Sequence, residues 1–495
     1  MKLRALVSAA TLTSLALVGC NTGKSNPSPK QVASVLSSGF VSSATLGGGI
    51  NAVGSFSAGA GMSQGARAGH TATWLDQAGR VLVVGGQKQP GAGAATFQQE
   101  NELYDPTANT WTVISQVSAT PNDGRLMDPT NTFATGRIYH AAVKAPSGVV
   151  VICGGLGFER LVNNNPVIEA LETTYTYDPN AVKFNPVTKM PVRRYFHLAS
   201  LTSNNLILVA CGWDKFDQQP KLSLQSADLF DPGAGTWTSI TGGVNALAAG
   251  HTWGNMLRYG QNTLIMNGGK FDNAASQQPP PTLINIGGIT PQAVMIGSTN
   301  STGKFSSGGE VFTASSSTFG TGPAGTRITS PRGILLSAGH TLPSTNVIVF
   351  AGGEDLGPQM IARYSNLYKT ELLDLVTNQF VAGPDLNSSA PLAQGQTTPA
   401  QIGVSELQAL EIGSSGDVLI MAGVAVDPTA GGQPAPTTQC EIMDTLNKKM
   451  KSLVQMQTAR FDFQAVKTTG NQIVVIGGRT DLMNTPTDSV ELYNR

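Results

Sequence analysis

The sequence predicts an all-β protein assembled from seven copies of one four-stranded antiparallel unit. Three observations carry this. An apolar run ending at a glycine recurs seven times, and large apolar residues seven positions apart recur behind six of those runs. The composition is poor in charge, at 13%, and rich in glycine, with 57 in 495 residues. Basic and acidic residues balance at 31 each, so no field exists to draw in a nucleic acid. No apolar run reaches 18 residues, which excludes a chain that crosses the membrane many times through helices.

The chain opens with an address. Lys2 and Arg4 precede a mostly apolar run from Ala5 to Val18, too short to span a bilayer but of signal-peptide length. It ends at Leu17-Val18-Gly19-Cys20, which resembles the lipobox of bacterial lipoproteins. The resemblance implies cleavage after residue 19 and lipidation of Cys20. The acyl chains would hold the protein stably on a membrane of the cell envelope. Asn21 rather than Asp follows, which by the family's rule favours the outer membrane. Residues 1–19 are thus expected to be a signal peptide, 20–50 a lipid-anchored flexible tether, and 51–495 the repeats.

The seven runs are Val81–Gly86, Val149–Gly155, Leu206–Gly212, Leu264–Gly269, Val347–Gly353, Val418–Val424 and Ile473–Gly478. Each begins with a short aliphatic stretch bounded by turn residues, the pattern of a strand buried on both faces. Turn residues also precede each run, as in Asp76–Gly79, Ala145–Gly148 and Thr468–Asn471, so a first strand pairs with it antiparallel. A second hairpin follows, with Tyr104/Trp111, Tyr177/Phe184, Phe230/Trp237, Phe312/Phe319, Leu373/Phe380 and Met443/Met450 as cross-strand partners. Constant spacing means constant turn length. Asp105-Pro106, Asp178-Pro179 and Asp231-Pro232 open three of these turns.

A lone meander cannot cover two apolar faces, but blades packed around an axis can. The pattern of His before the first strand, double Gly after the second, an acid-x-aromatic third and a Trp-like fourth resembles the kelch repeat. That resemblance covers residues 51–495 and implies a seven-bladed kelch-like β-propeller of four-stranded meanders. The sixth unit fits least well, with Val424 in place of a second Gly and no His. The seventh reaches only its third strand at Glu491-Leu-Tyr493. The segment Asn51–Phe56 is expected to supply its outer strand and close the ring, removing a free edge.

Repetition bears on chemistry. His70, His140, His197, His251 and His340 occupy one repeat position, so they cannot make a nucleophile–base–orienter triad. Equivalent atoms on neighbouring blades lie too far apart to share a metal, and no metal or other cofactor is expected. Cys153, Cys211 and Cys440 read as small buried hydrophobes. Glu102, Asp228, Glu310, Glu371, Glu441 and Glu491 share one position, with Tyr175 in the second unit. They read as blade-to-blade ties to Arg67, Arg137, Arg194 and Arg460. The Gly pairs open no helix and are not phosphate cradles.

Kelch relatives include galactose-oxidase-like enzymes with copper and a Tyr–Cys cofactor, and a sialic-acid mutarotase. In the copper family one His ligand comes from a domain after the propeller; here every His is a repeat His, so copper chemistry is not expected. Long irregular segments, at 113–136, 156–172, 270–308, 382–404 and 425–438, gather on one face, where loops carry function. Trp213, Asp214, Lys270, Asp272, Glu354, Asp355, Arg479 and Asp481 follow the glycines and are expected to ring the channel mouth as ligand-binding residues, with Trp213 stacking on a ring. The leading expectation is a binding or scaffold module for an envelope protein or glycan. The alternatives are a carbohydrate-active enzyme, mutarotase- or oxidase-like, at the channel mouth, and a purely structural envelope protein.

Overall fold

A computed structural model describes residues 54–90, 96–216, 223–240, 254–258, 263–267, 310–313, 318–321, 334–335, 338–355, 368–377, 379–387, 402–426 and 434–495. Cys20, the tether, His251, Lys270, Asp272 and the segment 270–308 lie outside them. The described chain is all-β and antiparallel, with one short helix at Ile114–Val117 and a 3-10 turn at Pro121–Gly124.

Seven units share one strand order, first to fourth. Unit 1 is Thr71–Leu75, Arg80–Val84, Glu102–Asp105 and Thr110–Val113. Unit 2 is Ala141–Lys144, Val150–Cys153, Thr174–Asp178 and Lys183–Val187. Unit 3 is Leu198–Leu201, Ile207–Ala210, Ala227–Asp231 and Thr236–Ile240. Unit 4 is Asn255–Arg258, Thr263–Asn267, Glu310–Thr313 and Thr318–Thr321. Unit 5 is Ala338–Leu342, Val347–Ala351, Thr370–Asp374 and Gln379–Ala382. Unit 6 is Gln408–Ile412, Asp417–Val426, Pro434–Asp444 and Lys449–Gln455. Unit 7 is Gln464–Lys467, Ile473–Ile476 and Val490–Asn494, and its fourth strand is the N-terminal Ser55–Gly59. That strand starts four residues later than expected and pairs Phe56 with Tyr493.

All six seven-residue spacings are directly opposed pairs, from Tyr104↔Trp111 to Met443↔Met450. Three of these turns, the Asp-Pro ones, close on an aspartate: Asp105, Asp178 and Asp231 each accept two backbone N–H groups just ahead. The second strands are buried on both faces, and alternate side chains enter different cores. Val81 and Val83 pack with Val474 and Ile476 of unit 7, while Leu82 and Val84 pack with Val150 and Ile152 of unit 2. The same alternation continues through units 3 to 6 and returns to unit 7. Each such Val or Leu contributes roughly 1.5–3 kcal/mol of burial. First strands touch in succession from unit 1 to unit 7, and the first strand of unit 7 touches that of unit 1.

The glycines explain the unit-to-unit fit. Gly86, Gly155, Gly353, Gly423 and Gly478 all have φ between +102° and +114°. Each donates its N–H to a carbonyl of the next unit: Arg137, Arg194, Val404, Arg460 and Arg67 in that order, at 2.7–3.0 Å. A Cβ on Gly86 would meet Arg67 and His70 at 3.0 Å. In unit 6 the equivalent pair is Ala422-Gly423, not Gly423-Val424 as the sequence reading had it; Ala422 takes the left-handed slot at φ 41°.

Three expectations change. The arginine side chains bind within their own unit, and it is their backbone carbonyls that tie neighbours. Arg67 pairs with Glu102, Arg194 with Asp228 and Arg460 with Glu491, all with the guanidinium fully buried. Residues 425–438 are not simply a loop: the second and third strands of unit 6 extend to Val426 and restart at Pro434 as one long hairpin. Within 156–172, Leu156–Phe158 pairs with both Gly136–Ile138 and Glu169–Ala170. The three cysteines are buried as expected.

Candidate active site

The residue one before the first strand's flanking position has a left-handed backbone in five units: Gly69 (64°), Tyr139 (53°), Phe196 (52°), Glu406 (55°) and Asp462 (51°). Glycine takes this conformation freely; a tyrosine or phenylalanine there is strained, and such strain gathers at functional sites. The bulky residues are brought together. Tyr139 donates its N–H to Gly69 O at 3.0 Å, and Phe196 donates to Tyr139 O at 3.2 Å. The Tyr139 and Phe196 rings stack at 4.0 Å and 25°.

Arg479 lies beneath them. It is fully buried, and its Nε donates to Asp462 Oδ2 at 2.9 Å. Its Nη2 donates to Gln87 Oε1 at 2.9 Å and Tyr139 Oη at 3.3 Å, and Nη1 to Asn484 O at 3.1 Å. Units 7, 1 and 2 therefore meet on one guanidinium. Asp462 keeps 16% of its side chain exposed. Burial raises its pKa, opposed by Arg479 and by the Gly69 N–H. Burial raises the Tyr139 hydroxyl as well, with Asp462 adding and Arg479 opposing; Glu406 acts in the same sense as Asp462. Burial alone would lower Arg479, but Tyr139 and Asp462 outweigh it and hold it protonated. The arrangement is a partly open aromatic pair beside a desolvated carboxylate and a protonated phenol.

Two of the residues picked from sequence, Trp213 and Arg479, fall one layer lower. The position after the second glycine holds Gln87, Leu156, Trp213, Val424 and Arg479, all buried. Trp213 is 1% exposed and packs edge-on against Tyr195 and Phe196 at 5.6 and 5.9 Å, so it backs the aromatic pair and presents no face to a ligand. Arg479 enters the site from below. Asp481 Oδ1 accepts the Thr485 N–H and closes a local turn. Asp214 is partly exposed, next in chain to Trp213. Glu354–Asp355 pairs with Ile334–Leu335 as a short strand. The sequence reading passed over Tyr139, Phe196, Glu406 and Asp462. Their signal was present: large residues stand where the first unit has Gly69.

The described histidines of units 1 to 3 are set by packing between units. The rings of His140, His197 and His70 lie against Gly85, Gly154 and Gly477 of the preceding unit. Burial lowers His70 and His197 to about 3, helped by Arg67 and Arg194 respectively. Among the described residues no three His, Cys, Asp or Glu side chains come together as metal ligands. Cys153 and Cys440 are pushed up to about 12 by burial. The described His, Cys, Asp and Glu side chains thus offer no ligand set for copper.

No family model matches the chain, and no curated protein matches it. Among solved structures it is similar to a fungal alcohol oxidase of the AA5 family in complex with copper. The TM-score is 0.55 at 13% identity, over 90% of this chain and 76% of that one. At this identity the likeness is one of fold. The expectation of a binding or scaffold module is corrected on this likeness, which sits with the oxidase-like alternative instead.

Proposed function

We propose that the chain is a carbohydrate- or alcohol-converting enzyme whose site is the Tyr139–Phe196–Asp462–Arg479 cluster. The observation that carries this is Arg479 joining a desolvated carboxylate to a phenol beside a strained, partly open aromatic pair. The C–H face of a sugar ring stacks on Tyr139 and Phe196. Asp462 takes the proton of a substrate hydroxyl, and the Tyr139 hydroxyl donates towards a second oxygen. Arg479 orients both. For a cyclic aldose these two transfers open the ring: the anomeric O–H loses its proton to Asp462, the C–O ring bond breaks, and the ring oxygen takes a proton from Tyr139. Reclosure on the other face returns both protons, so the reaction is mutarotation and needs no co-reactant.

The likeness to the copper alcohol oxidase favours a second reading, oxidation of a substrate alcohol. The two separate in one experiment on the purified protein. Anomer exchange followed by NMR across a panel of aldoses, without added metal, supports mutarotation. Oxygen consumption that requires added copper supports the oxidase. Neither activity on any sugar or primary alcohol would contradict the proposal.

The architecture we propose is a seven-bladed kelch-like propeller. It is supported by the seven like units and by the succession of first-strand contacts that returns to its start. The Cys20 motif supports a lipid anchor and an envelope location. Mass spectrometry of the mature protein tests this: an acylated Cys20 as the first residue is expected, and an unmodified Cys20 contradicts it.

A further inference from the structure

Four units show how this fold holds a guanidinium. In unit 7, Arg460 Nη1 donates to Gly477 O at 2.9 Å and Ser489 O at 3.0 Å, and Nη2 donates to Ser489 Oγ and Glu491 Oε1. In unit 3, Arg194 repeats this with Cys211 O, Ser226 O, Ser226 Oγ and Asp228. Arg67 meets Gly85 O, Glu100 O and Glu102, and Arg137 meets Gly154 O, Thr173 O and Thr173 Oγ1. The socket is therefore one carbonyl at the end of the second strand, one carbonyl before the third, and in three units an acid two residues on.

Unit 6 has the socket without the arginine. Val404 stands at the arginine position, since its carbonyl accepts the Gly353 N–H as Arg137 O accepts that of Gly86. The socket residues are Ala422, Gln439 and Glu441, and all three line a cavity of about 20 Å³ together with Val404 and Thr437. That volume exceeds the minimum for one water. Glu441 is 3% exposed and is the one ionisable side chain in the lining. It keeps the backbone half of its cradle, with both oxygens accepting the Asn387 N–H at 2.8–2.9 Å. Glu491 likewise accepts the Gln457 and Thr458 N–H groups. In place of the guanidinium it has only the Gln439 amide at 3.3 Å. A buried carboxylate held this way is under-compensated, and burial raises Glu441 to about 7.

We propose that the cavity at Val404 and Glu441 is a binding site for a small ligand bearing a guanidinium or amidinium group. The planar cation takes the place that an arginine side chain fills in units 1, 2, 3 and 7. It donates to Ala422 O, Gln439 O and Glu441. Binding needs ionised Glu441, so it strengthens as pH rises through about 7. This site is separate from the Tyr139 cluster and does not depend on the proposed reaction.

The test uses guanidinium chloride at millimolar concentrations, far below denaturing levels, with urea and sodium chloride as controls. Calorimetry on the full chain should show saturable one-to-one binding at pH 8, at least tenfold weaker at pH 6. Val404→Arg should abolish it, because the introduced side chain occupies the site, and should raise the melting temperature without ligand. Glu441→Gln should weaken binding at least tenfold while the protein stays folded. No saturable binding to the wild type, or equal binding to wild type and Glu441→Gln, would overturn the proposal.

Discussion

Arg194 and Asp228 form a buried pair in which each charge depends on the other. Burial lowers the arginine's pKa, and Asp228 counters it. Removing one partner strands the other, which typically costs about 3–5 kcal/mol. Arg194→Ala is therefore expected to lose about that much in urea unfolding, while Arg194→Met with Asp228→Leu loses less, since no charge is orphaned. A single mutant as stable as wild type would contradict this. The histidines set the acid side. His70 and His197 sit near 3 and His340 near 4 when folded, through burial, against about 6.5 unfolded. Below pH 6.5 the unfolded chain binds more protons, so stability falls from there towards pH 3–4. Glu441 acts oppositely: raised to about 7, it adds stability below about 4.5 that is lost as pH rises to 7. Glu441→Gln should therefore steepen the loss of stability between pH 7 and 4.5; an unchanged or shallower slope counts against the assignment.

At the scale of elements, the N-terminal strand Ser55–Gly59 is the outer strand of unit 7. Phe56 packs on Tyr493 at 5.2 Å and belongs to the core between units 6 and 7. Phe56→Ala should cost about 3–5 kcal/mol, read by denaturant unfolding, although the residue lies at the edge of the repeats. A loss below 1 kcal/mol would mean that this strand does not hold the last unit. The strands were legible because their signals are local and repeated: the aliphatic runs, the Asp-initiated turns, the seven-residue spacing. The long hairpin of unit 6 was not, because Pro434 and Pro436 read as loop, while pairing of Val424 with Pro436 and Val426 with Pro434 carries the ladder through them. The direction of the arginine side chains was missed for a similar reason. Sequence places Arg67 next to a unit boundary, but only geometry separates its side chain from its carbonyl.

For the whole molecule, function depends on what seven repeated positions bring to one place. The candidate site draws Asp462 and Arg479 from unit 7, Tyr139 from unit 2 and Phe196 from unit 3. Arg479 was readable from sequence as a charge after a glycine pair. Its partners were not, since spacing does not say which position of a repeat is open and which is buried; Trp213, chosen for its aromatic ring, lies beneath the layer that Phe196 occupies. The central claim is that this cluster moves protons on a substrate hydroxyl. The most direct measurement is anomer exchange by NMR, on the sugar the wild type turns over, for Asp462→Asn and Tyr139→Phe beside it. A loss of 10²–10⁴-fold in turnover for Asp462→Asn, with an unchanged fold and a smaller loss for Tyr139→Phe, is the predicted result. Full activity in Asp462→Asn would contradict the account.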